Sequence, residues 1–463
     1  MTRQNKRETA SFRDPSGYLF WREGVLYRQV NQRYQDHYTF LMKSGLYRSL
    51  VDDGLLINHE EVKIEPYQPE GAYRVICPER IPFISYPYEW SFSQLKDAAL
   101  ATLTIQKRAL AYGMSLKDSS AYNIQFWRGK PVLIDTLSFE IYEEGKPWVA
   151  YRQFCQHFLA PLALMSYRDV RLSQLLRIYI DGIPLDLTSG LLPFRTYLKF
   201  PLLTHLHLHA AAQKRYAGHQ VDLTSPRQEV KKTGILGILS SLESIISHLN
   251  WNPEGTAWAD YVSTHNYADA SLNHKKQAVA EYLDRVRPET VWDLGANTGV
   301  FSRLASQRMI NTVAFDIDPG VVELNYRQSI TDKDQYLLPL LLDLTNPSPN
   351  LGWFNQERRS LFKRGSADMV LALALVHHLA ITNNVPLDQI ALFMANLGHW
   401  LVVEFVPKDD PQTQKLLASR EDIFIDYSQK RFEEVFSAYY QIDDTVVINN
   451  SARTLYLMKN IQV

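Results

Sequence analysis

The stretch Asp293-Leu-Gly-Ala-Asn-Thr-Gly299 constrains this 463-residue chain more than any other. Val291 and Trp292 before it read as the end of a buried strand, and Val300, Phe301, Leu304 and Ala305 after it recur at helical spacing. A strand that turns into a helix over glycines presents backbone N–H groups and a helix N-terminus at the mouth of a parallel sheet. The glycines let the main chain turn tightly and let a ligand approach with no Cβ in the way.

The spacing is Asp-x-Gly-x-x-x-Gly, and the middle glycine of the dinucleotide pattern Gly-x-Gly-x-x-Gly is absent. That departure argues against a nicotinamide site and for S-adenosylmethionine (SAM). Thr312-Val-Ala-Phe-Asp316 follows as a short apolar strand ending in an acid, about twenty residues on, where an α/β nucleotide fold puts its ribose-binding carboxylate. Leu337 to Asp343 repeats the pattern, Ala367 to Val376 is a nearly unbroken apolar run, and Trp400 to Val406 reads as a fifth strand. Tyr440–Ile442, Thr445–Ile448 and Thr454–Met458 read as closing antiparallel strands.

These elements in this order resemble the class I SAM-dependent methyltransferases over roughly residues 257–463. The resemblance implies that Asp293, Gly295 and Gly299, with Asn297 in the same turn, hold the methionine part and ribose side of SAM. It implies that Asp316 holds the ribose hydroxyls and that Asp343 faces the adenine amino group. Read without the resemblance, Asp316 is equally a helix N-cap beside Asp318-Pro319, and Asp343 a cap for the turn 345–349.

The length suits two domains: an α+β domain over 1–209, a helical spacer over 210–256 and the methyltransferase domain over 257–463. Forty-nine Lys and Arg balance fifty Asp and Glu, and no basic run stands out, which disfavours nucleic acid as acceptor. Cys77 and Cys155 make neither a metal pair nor a disulfide framework. The N-terminus lacks an apolar signal core, and no segment offers about 20 uninterrupted apolar residues, so a cytoplasmic protein without a membrane span is expected.

In the first half, Ser93 to Tyr112 reads as a long amphipathic helix ended by Gly113. Met114-Ser-Leu-Lys-Asp118-Ser-Ser-Ala-Tyr-Asn123 follows, then a hairpin over 124–134 that delivers Asp135. This resembles the catalytic region of the protein-kinase-like fold, which implies Asp118 as base, Asn123 and Asp135 as Mg²⁺ ligands, and ATP as co-substrate. Thr136-Leu137 stands where that family has Phe-Gly, no glycine-rich loop is evident, and Arg28 and Lys63 are the candidates for the phosphate-pairing cation. The alternative is a domain that recruits substrate, with Asp118 capping a turn and Asn123 starting the hairpin.

Two histidine groups draw attention. His205, His207 and His209 would share a face on a strand and bind metal, but the following Ala-Ala-Ala-Gln-Lys-Arg suggests a helix. His377-His378 ends the fourth strand, where His377 is a candidate general base for the methyl acceptor, or else the start of a plain turn. Tyr267 and Lys275 precede the glycine turn on a helix of the kind that covers the SAM pocket. The whole chain also resembles bacterial methyltransferases of the nodulation-specificity type, which implies a small-molecule, glycan or glycolipid acceptor. The expected fold class is α/β: a Rossmann-like, mostly parallel sheet with an antiparallel last strand, plus a helix-rich α+β N-terminal domain. The competing functions are a bifunctional kinase/methyltransferase and a non-catalytic SAM sensor.

Overall fold

A computed structural model describes residues 6–211, 229–253, 269–418 and 421–462. Tyr267 and much of the 210–256 spacer lie outside the described residues. The chain forms two compact units, Met1–Trp251 with Asn350–Arg358, and Asn252–Pro349 with Arg359–Val463.

The first unit opens with a five-stranded antiparallel sheet. Its strands are β1 (Lys6–Arg7), β2 (Gly17–Arg22), β3 (Val25–Asn31), β4 (His59–Glu61) and β5 (Ala72–Pro78), in the order β1-β2-β3-β5-β4. Glu23 and Gly24, both at positive φ, turn β2 into β3. Gly17 is glycine because a Cβ there would lie 2.1 Å from the carbonyl oxygen of Gln29. Helix α1 (Gln35–Lys43) packs on this sheet, with Val30, Tyr34, Tyr38, Ile76 and Leu137 forming a buried cluster.

The long helix α3 runs Phe92–Ala111, after α2 (Leu46–Asp52), and begins with a capping box. The Ser91 hydroxyl accepts from Gln94 N and the Gln94 side chain accepts from Ser91 N, which satisfies two orphan donors. Its apolar face, including Leu95, Ala99, Leu103 and Leu110, is buried. Two small pairs follow: β6 (Met114–Leu116) with β9 (Phe139–Ile141), and the hairpin β7 (Ile124–Trp127) with β8 (Lys130–Leu133). Arg128 and Gly129 at positive φ close that hairpin. The histidines 205–209 lie on helical backbone rather than on a strand.

The second unit is one seven-stranded sheet, β10 (Thr290–Leu294), β11 (Asn311–Asp316), β12 (Leu337–Leu341), β13 (Ala367–Ala372), β14 (Gly398–Phe405), β15 (Tyr440–Val447) and β16 (Thr454–Asn460). The order is β12-β11-β10-β13-β14-β16-β15, with the first five strands parallel and the last two joined antiparallel. Val291, Met369, Leu371, Val402, Leu455 and Leu457 are all buried in one core. The apolar run expected to be strand through Val376 pairs only as far as Ala372. Beyond it Ala374 takes a positive φ and the chain turns away at the sheet's edge, so its last apolar side chains line a cavity instead of extending the ladder.

Candidate functional site

The turn after β10 folds back onto β11. Gly295 N and Ala296 N both donate to the Phe315 carbonyl, at 2.8 and 2.9 Å. Gly295, Asn297 and Gly299 have φ of 72°, 51° and 80°, the left-handed region that glycine and asparagine tolerate best. A Cβ on Gly299 would also lie 2.4 Å from the buried Asn325 side chain. The next helix, Ser302–Ser306, places its Ser302 hydroxyl 2.6 Å from the Asp293 carboxylate, to which it donates.

Asp316 accepts from Asn297 N at 2.8 Å and from Asp318 N at 2.9 Å, so it braces the glycine turn against the end of β11. The N-cap of helix Pro319–Thr331 is Asp318, whose carboxylate accepts from Gly320 N at 2.7 Å. Asp343 accepts from the backbone and hydroxyl of Thr345 and does cap that turn. Capping does not withdraw these acids from the site: Asp293, Gly295, Asn297, Asp316, Asp343 and His377 all line one cavity of about 660 Å³ at the carboxyl edge of the sheet.

The acids there are poorly hydrated. Burial pushes the Asp293 and Asp316 carboxyls up to about 6, against the pull of Ser302 on one and of backbone N–H groups on the other. His377 is buried, and burial together with His378, Arg453 and Lys275 holds its imidazole well below the usual range. Its Nδ1 has no hydrogen-bond partner among the described residues. His377 is also the N-cap residue of the helical turn His378–Thr382, without a side-chain capping bond, which matches the plain-turn reading of the pair.

A buried charge network lies in the same wall. Lys275, on helix Asp269–Val286, donates to Glu404 of β14 at 2.5 Å. Arg453 lies 3.8 Å from the other Glu404 oxygen and grips Asp410 with two bonds, of 2.7 and 3.0 Å. Sequence reading reached Lys275 but missed Glu404, Asp410 and Arg453. The available signal was a lone acid inside the apolar strand Trp400-Leu-Val-Val-Glu-Phe-Val406.

In the first unit, the Asp118 carboxyl accepts from Ser120 N at 2.9 Å and is bonded by the Asn123 and Gln153 side chains; burial raises it, and Asp135 adds to the rise. Asp135 accepts from Leu137 N at 2.9 Å and Ser138 Oγ at 2.8 Å, and is ion-paired with Arg28 at 2.6 Å. Asn123 donates to Ser138 Oγ at 3.4 Å. Both Asp135 oxygens are thus engaged by protein donors. Lys63 is exposed. The histidines are structural: His205 bonds Tyr151 and Ser241, His207 bonds Ser189 and Thr196, and His209 stacks on Tyr151. Among the described residues no cluster of three or more His, Cys, Asp or Glu forms a metal site, and no helix is long and apolar enough to cross a membrane.

The sheet order, with its antiparallel final pair and acid-lined glycine turn, defines the second unit as a class I methyltransferase fold. The chain is 36% identical over 456 residues to nodulation protein NoeA of Rhizobium meliloti, covering 97% of this chain and 95% of that protein, and it belongs to that family. No protein-family model matches. Among solved structures, magnesium protoporphyrin IX methyltransferase of Synechocystis PCC 6803 aligns with 44% of this chain and 95% of its own, at 14% identity and a TM-score of 0.33. The N-methyltransferase NodS of Bradyrhizobium japonicum WM9 aligns with 42% of this chain and 97% of its own, at 8% identity and a TM-score of 0.31.

Proposed function

We propose that the second unit binds SAM and transfers its methyl group to an uncharged oxygen or nitrogen of a small, glycan-type acceptor. The observation that carries this is the convergence of Asp293, Asp316, Asp343 and the glycine turn on one cavity that also holds His377. Five acids in that lining, Asp409 and Asp410 included, outnumber the cations Lys275 and Arg453 and suit a ligand bearing an ammonium and a sulfonium. SAM supplies an already activated methyl group, so the protein's task is chiefly to hold the nucleophile in line with it. His377, kept neutral by burial and by nearby cations, accepts a hydrogen bond at Nδ1 from the acceptor's O–H or N–H and orients its lone pair. The same cations make full protonation costly, so the proton released as the acceptor bonds the methyl carbon leaves to water, while the sulfur departs as a neutral thioether.

The kinship with a nodulation protein, together with the resemblance of the whole chain to nodulation-type methyltransferases, supports a glycan or glycolipid acceptor. For the first unit we infer a kinase-like fold that recruits the acceptor. The sheet followed by a long helix and the β6/β9 and β7/β8 pairs support that fold, while the Arg28–Asp135 ion pair argues against bound Mg²⁺ and phosphotransfer.

The test is calorimetric titration with S-adenosylhomocysteine. The wild type should bind, and Asp316→Ala, which removes the brace on the glycine turn as well as the ribose partner, should lose at least tenfold in affinity. Absence of binding by folded wild-type protein would sink the proposal.

A further inference from the structure

The segment from Leu191 to Leu208 carries an apolar face that the described residues leave exposed. Its inward side chains, Leu192, Thr196, Leu202 and Leu206, are buried and already anchor it to the first unit. Its outward side chains are large and apolar too: Phe194 is 78% exposed, Leu198 80% and Phe200 73%. Phe194 and Tyr197 stand three residues apart on the 3₁₀ turn Phe194–Leu198, the spacing at which side chains eclipse.

These side chains are held outward by a braced frame. The Thr196 hydroxyl donates to the Pro193 carbonyl at 2.7 Å and meets His207 Nε2 at 2.9 Å. The Tyr197 ring stacks on His207 at 3.6 Å, and Phe194 stacks on Tyr197 at 5.7 Å. A monomer gains nothing from presenting three such side chains to water, and an exposed apolar patch with a polar rim marks an interaction surface.

The rim is cationic. Arg195 and Lys199 both lie over the Tyr167 ring, at 5.6 and 5.3 Å, and Arg168 bonds the Leu191 carbonyl. From Leu187 to Val221 the sequence contains no Asp or Glu. Phe and Leu interleaved with Arg, Lys and Tyr, with no acid to offset the cations, are the composition of an interfacial membrane contact.

We propose that this face docks the protein on an anionic phospholipid surface, with Phe194, Leu198 and Phe200 entering the headgroup region and Arg195, Lys199 and Arg168 meeting lipid phosphates. No spanning segment is needed for such attachment, and it keeps the protein where an amphiphilic acceptor would reside.

The experiment is co-sedimentation of the full chain with vesicles of phosphatidylglycerol and phosphatidylcholine, against vesicles of phosphatidylcholine alone, with sedimentation equilibrium of the protein in parallel. Binding should require the anionic lipid and weaken with salt. F194S/L198S/F200S should lose at least tenfold in partitioning while melting as the wild type does, and R195Q/K199Q should lose about fivefold per charge removed. Three results overturn the proposal: no binding by folded wild type, binding that survives the triple substitution, or a wild-type dimer that the triple substitution makes monomeric. The last would assign the face to self-association.

Discussion

Asp293 and Asp316 titrate near 6 in the folded chain and near 3.8 once unfolded. Between those values the native state holds more protons than the unfolded one, so their contribution to stability falls as pH rises through that window. The buried histidines work in the opposite sense. Burial lowers His59, His205 and His378 to about 4, so they cost stability as pH falls below 6.5. A difference between variant and wild type at each pH isolates the acid. Asp293→Asn carries no charge, so its stability relative to wild type should rise between about pH 4 and pH 7 by on the order of 2–3 kcal/mol. Affinity for S-adenosylhomocysteine should fall in the same variant at pH 7. Paired melts and titrations check both, and a flat difference with unchanged affinity would remove Asp293 from the site. Residues whose roles are set by near neighbours were legible in the sequence: the two glycines at positive φ and the acids at strand ends. Which acid capped the helix after β11 was not, because Asp316 and Asp318 both suit an N-cap and only the fold chose Asp318.

At the scale of elements, the parallel strands were readable because a strand buried on both faces must be apolar throughout. β13 also marks the limit of that rule, since apolar sequence continues past Ala372 where pairing stops. The charge network joining helix Asp269–Val286, β14 and Arg453 was hidden, because its members are separated by 129 and 49 residues, as Lys275, Glu404 and Arg453 show by their numbers. Lys275 and Glu404 are both nearly inaccessible, so each depends on the other for compensation. Glu404→Leu should cost about 3–5 kcal/mol, because it buries Lys275 without the carboxylate that now balances it. Adding Lys275→Leu should recover part of that loss, since Arg453 keeps Asp410. Denaturant unfolding of the single and double variants decides this. A double variant less stable than Glu404→Leu would mean that the network acts through geometry rather than charge balance.

Across the whole molecule, the feature least legible in the sequence is the assignment of Asn350–Arg358 to the first unit while the chain on either side belongs to the second. No periodicity announces such a segment, because it is held by individual contacts. Glu357 curls back to accept from Trp353 N at 2.9 Å and from Arg13 at 2.9 Å, and Gly352 leaves room for it, since a Cβ there would lie 2.6 Å away. Arg358 lies over the Tyr122 ring at 4.2 Å, in the same unit as Asp118 and Asp135. Units that unfold independently respond separately to separate perturbations. S-adenosylhomocysteine at a hundredfold excess over its dissociation constant should stabilise the second unit by about 2.7 kcal/mol. Glu357→Ala, which removes hydrogen bonds from a largely buried carboxylate, should weaken the first unit by about 1–3 kcal/mol, a shift of a few degrees. Differential scanning calorimetry of the full chain should therefore resolve two components, one moved only by the ligand and the other only by the substitution. If both perturbations move one indivisible transition, the two units fold as a single cooperative body, and a loss of ligand affinity in first-unit variants would then follow from stability alone.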